Sequence, residues 1–201
     1  MIGATFLAAC AALHAAPHSI VGRAPSLRQT VPARMAAEVF VADPSYNLAA
    51  GAAVFGVICG GLEDIKGGDG AKLPTAKLFG GAAVLFVVFA AFLTFQTTTL
   101  RFTFSDSSIA LVKADGSSIG ENVVVGGENR WSYKSFVNYD FLPSEDFPIL
   151  VYFREVQTPV QDREEAPIVV DNLEGQVHFF PAISNTAQLK EQFVARGCTK
   201  A

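Results

Sequence analysis

Hydrophobic and polar positions follow three different patterns along this chain, and each predicts a different element. Between Asp43 and Glu63 run 19 uncharged residues, PSYNLAAGAAVFGVICGGL. Between Lys77 and Arg101 run 23 more, LFGGAAVLFVVFAAFLTFQTTTL. A helix rises 1.5 Å per residue, so the shorter run covers about 29 Å, close to one bilayer hydrocarbon core. Residues 63–77 between them carry three glycines, a proline and mixed charges, the composition of a turn. These features predict a two-span transmembrane hairpin over residues 44–100. Small residues recur in both runs: Ala49, Ala53, Gly56 and Gly60 in the first, Gly80, Gly81 and Ala82 in the second. The spacing of Gly56 and Gly60 lets helix backbones approach closely, which makes them candidate packing positions, within the pair or against another subunit.

After Leu100 the pattern changes to strict alternation. Leu100, Phe102 and Phe104 are interleaved with Arg101, Thr103 and Ser105, the period of a half-buried strand. Further strands are predicted at Ile109–Val112, Val123–Val125 and, less regularly, within Arg130–Tyr139. Phe147 to Val156 places apolar residues on both faces, as an inner strand requires. Residues 157–174 read as a long acidic loop, with a short pairing at Ile168–Val170, before a last strand at Val177–Phe180. A helix then closes the chain. Asn185 caps its start with Gln188 three residues on, Leu189 and Phe193 share its inner face, and Gly197 stops it. The predicted fold class is α+β: the hairpin, then over residues 101–201 a small antiparallel β-roll with a C-terminal helix. Strands closed by one terminal helix resemble the pleckstrin-homology (PH)-like roll.

Composition agrees with a membrane protein. Of 201 residues, 50% are hydrophobic and 17% charged, against about 25% charged in a typical soluble domain. Mean hydropathy is +0.33. The formal net charge of −4 gives no electrostatic reason to expect nucleic acid as a partner.

Residues 1–37 read as an address. No acidic residue precedes Glu38, whereas Arg23, Arg28 and Arg34 are present with much Ala and Ser. The apolar run from Ile2 to Leu13 has the length of a signal-peptide core. A signal-like start before a transit-like stretch resembles the bipartite leaders of plastids with extra envelopes; a simple chloroplast transit peptide and a secretory signal are the alternatives. Loss of this leader removes three arginines and no acidic residue, leaving 12 basic against 19 acidic side chains and a single histidine, His178.

That inventory offers little to catalysis. Every triad of the Ser-His-Asp or Cys-His kind would have to use His178. Cys59 lies in an apolar run and Cys198 near the C-terminus, and no Cys/His ligand cluster is spaced for zinc or iron–sulfur. The glycine strings at 67–70 and 126–127 match no phosphate-binding motif and read as turns. Asp140, Glu145, Asp146, Asp162, Glu164 and Glu165 fit no calcium loop. Arg154 and Glu155 end the best strand, where they either form an ion pair closing the sheet or contact a partner. Trp131 and Tyr133 either sit at the membrane interface or fill the core.

The segments FQTTTLRFTF, FPILVYFREV and HFFPAISNTAQLKEQF together resemble the DUF3119 proteins of cyanobacteria and plastids over residues 44–197. The resemblance implies a two-helix membrane segment joined to a small β-rich, PH-like domain. The chain departs from the family pattern at the acidic insertion, residues 157–174. The expectation is a non-enzymatic thylakoid membrane protein without cofactor or metal. Its partners would be the bilayer and a membrane-protein complex that it scaffolds or helps assemble. The alternatives are a protein that holds a lipid or pigment, and an enzyme of a class the inventory does not reveal.

Overall fold

The computed structural model describes residues 39–121, 127–166 and 168–201. The predicted leader and the predicted strand at Val123–Val125 lie outside them. Among the described residues the chain is α+β, as expected, with three helices and two antiparallel sheets.

A two-residue strand, β1 (Phe40–Val41), comes first and was too short to show a period. Two helices follow, α1 (Asn47–Glu63) and α2 (Ala76–Thr99). They pack antiparallel through small residues: a side chain added at Gly56 would meet Val87 Cγ2 at 3.1 Å. Ala49, Ala52 and Ala90 are buried beside Leu93, and Phe55 stacks on Phe86 with ring centres 5.7 Å apart. The intervening turn closes on itself, with the Gly67 N–H donating to the Ala71 carbonyl and Lys72 paired with Glu63 and Asp64. Thr94, Thr98 and Thr99 donate their hydroxyls to carbonyls four residues back, which satisfies polar groups on an apolar helix. Arg101 caps the end of α2 by donating to the carbonyls of Thr97 and Leu100.

Among the described residues one helix, α2, is long and apolar enough to cross a membrane. At 1.5 Å per residue it reaches about 36 Å and α1 only about 26 Å. The expected first span is shorter than its uncharged run because its opening residues are drawn into extended pairing. The Ser45 N–H donates to the Ile183 carbonyl at 2.8 Å, and Pro44 bridges Ser184.

With no linker, α2 runs into β2 (Leu100–Phe104). That strand pairs with β1 and with β3 (Ser108–Lys113), and β3 pairs with β4 (Arg130–Ser132), giving a four-stranded sheet. A 3-10 turn, Tyr133–Ser135, breaks the irregular stretch expected here and leads to β5 (Phe136–Pro143). The second sheet is β5, β6 (Pro148–Glu155) and β7 (Gln176–Pro181), with β6 in the middle as its two apolar faces predict. Residues 168–170 form no strand; Ile168 and Val169 are exposed and bury nothing that would hold them to a sheet.

The last helix, α3 (Thr186–Ala195), closes the core. Asn185 Oδ1 accepts from the backbone N–H groups of Ala187 and Gln188, the predicted cap. Gln188 does not complete a capping box. Its side chain instead donates to Asp43 Oδ2 and accepts from the Asp43 N–H, which clamps the entry to α1. Phe193 is fully buried where both sheets meet, stacked on Tyr139 and edge-on to Phe104. Gly197 takes the left-handed conformation (φ +71°) that ends the helix.

Candidate functional site

The residues singled out at the end of β6 are buried. Arg154 is 7% exposed and Glu155 is 0%. They do not pair with each other, because neighbours in a strand point to opposite faces. Their burial leaves neither side chain available for direct docking by a partner.

Arg154 lies on one face of the second sheet, against the acidic insertion. Its Nη2 stands 2.9 Å from Asp171 Oδ1, its Nε donates to the Tyr152 hydroxyl, and its Nη1 donates to the Gly175 carbonyl. Asp171 Oδ2 also accepts from Asn138 Nδ2 at 2.7 Å and from the Tyr152 hydroxyl at 2.8 Å. Burial opposes ionisation of Asp171, but those hydrogen bonds, one from the Leu173 N–H, and Arg154 outweigh it and hold the carboxyl below its ordinary range. Burial, followed by the bond to Asp171, pushes Tyr152 up to about 12. Gly175 is required here. Its φ is +131°, and a Cβ would stand 2.5 Å from the Glu155 carbonyl oxygen.

Glu155 points the other way. Its Oε1 accepts from Thr158 Oγ1 at 2.6 Å and lies 3.0 Å from His178 Nε2. Its Oε2 accepts from the backbone N–H groups of Thr158 and Gln157. Burial raises its pKa, but the bonds from His178 and Thr158 prevail and hold it below the ordinary glutamate value. Four partners fill the acceptor capacity of a carboxylate, so Glu155 has none left to take a proton from a substrate. His178 is packed between Phe153 and Trp131, each 4.9 Å away. The arrangement ties the start of the insertion to the sheet.

Trp131 lies in the core, and Tyr133 is half-buried with Arg196 over its ring. Of the acidic candidates, Glu145 pairs with Lys190 and Lys200, and Asp140 with Lys200. Among the described residues no three His, Cys, Asp or Glu side chains converge on a point that could hold a metal ion. Gly56 faces α2, and Gly60 stands one turn on, where a Cβ would lie 3.9 Å from that of Ala83.

Sequence reasoning missed a cleft of about 560 Å³ between the helical pair and the β-domain. Phe55, Phe86 and Phe89 line one end of it; Ser45, Asn47 and Ser184 line the other. Ser184 is 1% exposed, and its hydroxyl has no hydrogen-bond partner among the described residues. Its only sequence signal was a serine within an apolar approach to a helix cap, which is too common to single out. Asp171 was also missed, because its partner Arg154 lies across a loop whose path no local period encodes.

The model of the family described as "Protein of unknown function (DUF3119)" fits residues 40–198. No curated protein and no solved structure matches.

Proposed function

We propose that this chain, which belongs to the DUF3119 family, is an integral thylakoid membrane protein that works without catalysis as a scaffold or assembly factor for a membrane complex. In this reading both α1 and α2 span the bilayer, and the β-domain is a PH-like binding module. The observation that carries it is the reversed layering of the helical pair. Mostly small residues lie between the helices, while Val57, Leu78, Leu85 and Phe95 face outward, all more than half exposed. In water such a surface would drive aggregation; in lipid it is the stable arrangement. The four- and three-stranded sheets with a terminal helix support the PH-like reading. The acid-free, arginine-bearing leader supports a plastid address.

The test is a carbonate wash of native membranes followed by an affinity pull-down after gentle solubilisation. The chain is expected to stay in the pellet and to bring down subunits of a membrane complex. Release by carbonate would overturn the anchor, and sedimentation as a lone small species would overturn the scaffold. The cleft favours a second reading, in which the protein holds a lipid or pigment at the bilayer edge; it predicts an apolar molecule retained through purification.

A further inference from the structure

We propose that the cleft between α1, α2 and the β5–β6 turn binds a membrane lipid with an uncharged, hydroxyl-bearing headgroup, an inference that rests on the lipid-holding reading above. Its volume of about 560 Å³ lies within the usual span of ligand sites. Its apolar end, Phe55, Phe86 and Phe89, opens onto the helix face that lipid would cover, so an acyl chain can enter sideways from the bilayer. Its polar end carries hydrogen-bonding but uncharged side chains, Ser45, Asn47 and Ser184. The buried Ser184 hydroxyl, without a partner among the described residues, is the second, independent sign of a ligand. Leaving such a group unpaired is costly, and a headgroup hydroxyl supplies the missing partner once Ser184, which lines the cleft, turns its hydroxyl toward it.

Charge selects the headgroup. Asp146 lines the same cleft and repels an anionic phosphate, and Glu145, also on the lining, holds the neighbouring ammonium groups away from it. The nearby ammonium groups, Lys190 and Lys200, are both engaged by Glu145, at 2.5 and 2.8 Å. The cleft therefore has neutral donors and acceptors for a sugar or glycerol head and no free cation among its lining residues for a phosphate.

Two variants separate this from a structural role. A Cβ at Gly51, which lines the cleft, would meet no atom within 4 Å, so Gly51→Phe fills the cleft without strain on the helix. Ser184→Ala removes an unpaired hydroxyl and should leave the melting temperature unchanged or higher. The full chain, solubilised in a polyoxyethylene detergent, is offered an equimolar mixture of a glycosyl diacylglycerol, phosphatidylcholine and phosphatidylglycerol and read by native mass spectrometry. One glycosyl lipid per chain is expected, lost in Gly51→Phe. In Ser184→Ala retention should weaken about five-fold, the equivalent of one neutral hydrogen bond. Equal retention of all three lipids, a preference for phosphatidylglycerol, or undiminished retention by Gly51→Phe overturns the proposal and leaves lipid holding intact. A chain that stays in carbonate-washed membranes yet retains no lipid or pigment overturns both.

Discussion

The helical pair and the β-domain are both rich in apolar residues but arrange them in opposite radial order. In the β-domain the largest side chains lie at the centre: Phe102, Phe104, Trp131, Tyr139, Phe153 and Phe193 are almost fully buried. In the helical pair the centre is built mainly of Ala49, Ala52, Gly56 and Ala90, and the large side chains point out. Water accounts for the first order, because burying aromatic area is the main driving force there. The second order is the one that the proposed lipid surroundings would favour. Where the surroundings are as apolar as leucine, close backbone approach holds helices together, and small residues gain most from it. In the proposed bilayer placement the same composition serves two solvents, with the boundary where α2 becomes β2.

Substitutions test that contrast. Breaking the Arg154–Asp171 pair by Arg154→Met leaves a part-buried carboxylate with its hydrogen bonds but no countercharge and should cost about 3 kcal/mol in chemical unfolding. The double variant with Asp171→Asn should recover much of that loss. Phe193→Ala, emptying the centre of the β-domain, should cost a similar ~3–5 kcal/mol. Phe95→Ala, on the outward face of α2, should change unfolding by less than about 0.5 kcal/mol in detergent. An equal effect of the two Phe substitutions would erase the distinction between the regions. Gly56→Leu drives a side chain into Val87 and should cost about 1–3 kcal/mol, read as separation of the helices by cross-linking or melting.

A further expected effect is acid sensitivity in the β-domain. Folded Glu155 and Asp171 are held below their ordinary values of 4.5 and 3.8. Their stabilisation is complete above those values and is lost as pH falls through the lower folded ones. Melting temperature should therefore be flat near neutrality and decline below about pH 4.5, with the decline shallower in Glu155→Gln. A decline that begins near pH 6 would point to another group.

Much of the β-domain was legible because local chemistry fixed it. Alternation in β2, two apolar faces on β6, the Asn185 cap and the Leu189–Phe193 stripe each depend on residues a few positions apart. What stayed hidden depends on distant partners. β1 is only two residues long and exists because β2 offers it an edge. Gln188 fits a capping box locally, but Asp43, 145 residues away, takes its side chain instead. Arg154 and Glu155 attract notice as charges ending an apolar strand, yet the pattern cannot say that they turn inward to Asp171 and His178. The cleft was invisible for the same reason, since its walls come from both helices and the β5–β6 turn.

The absence of a linker between α2 and β2, together with the Gln188 clamp on Asp43, has a mechanical result. A tethered module usually swings and samples many poses; a helix that passes straight into a strand, with a clamp at Asp43, favours a single pose, like a key and its bow. In the proposed bilayer placement of α2, the β-domain's loops would keep one height and one bearing, so a partner drifting in the plane would meet the same face at every encounter.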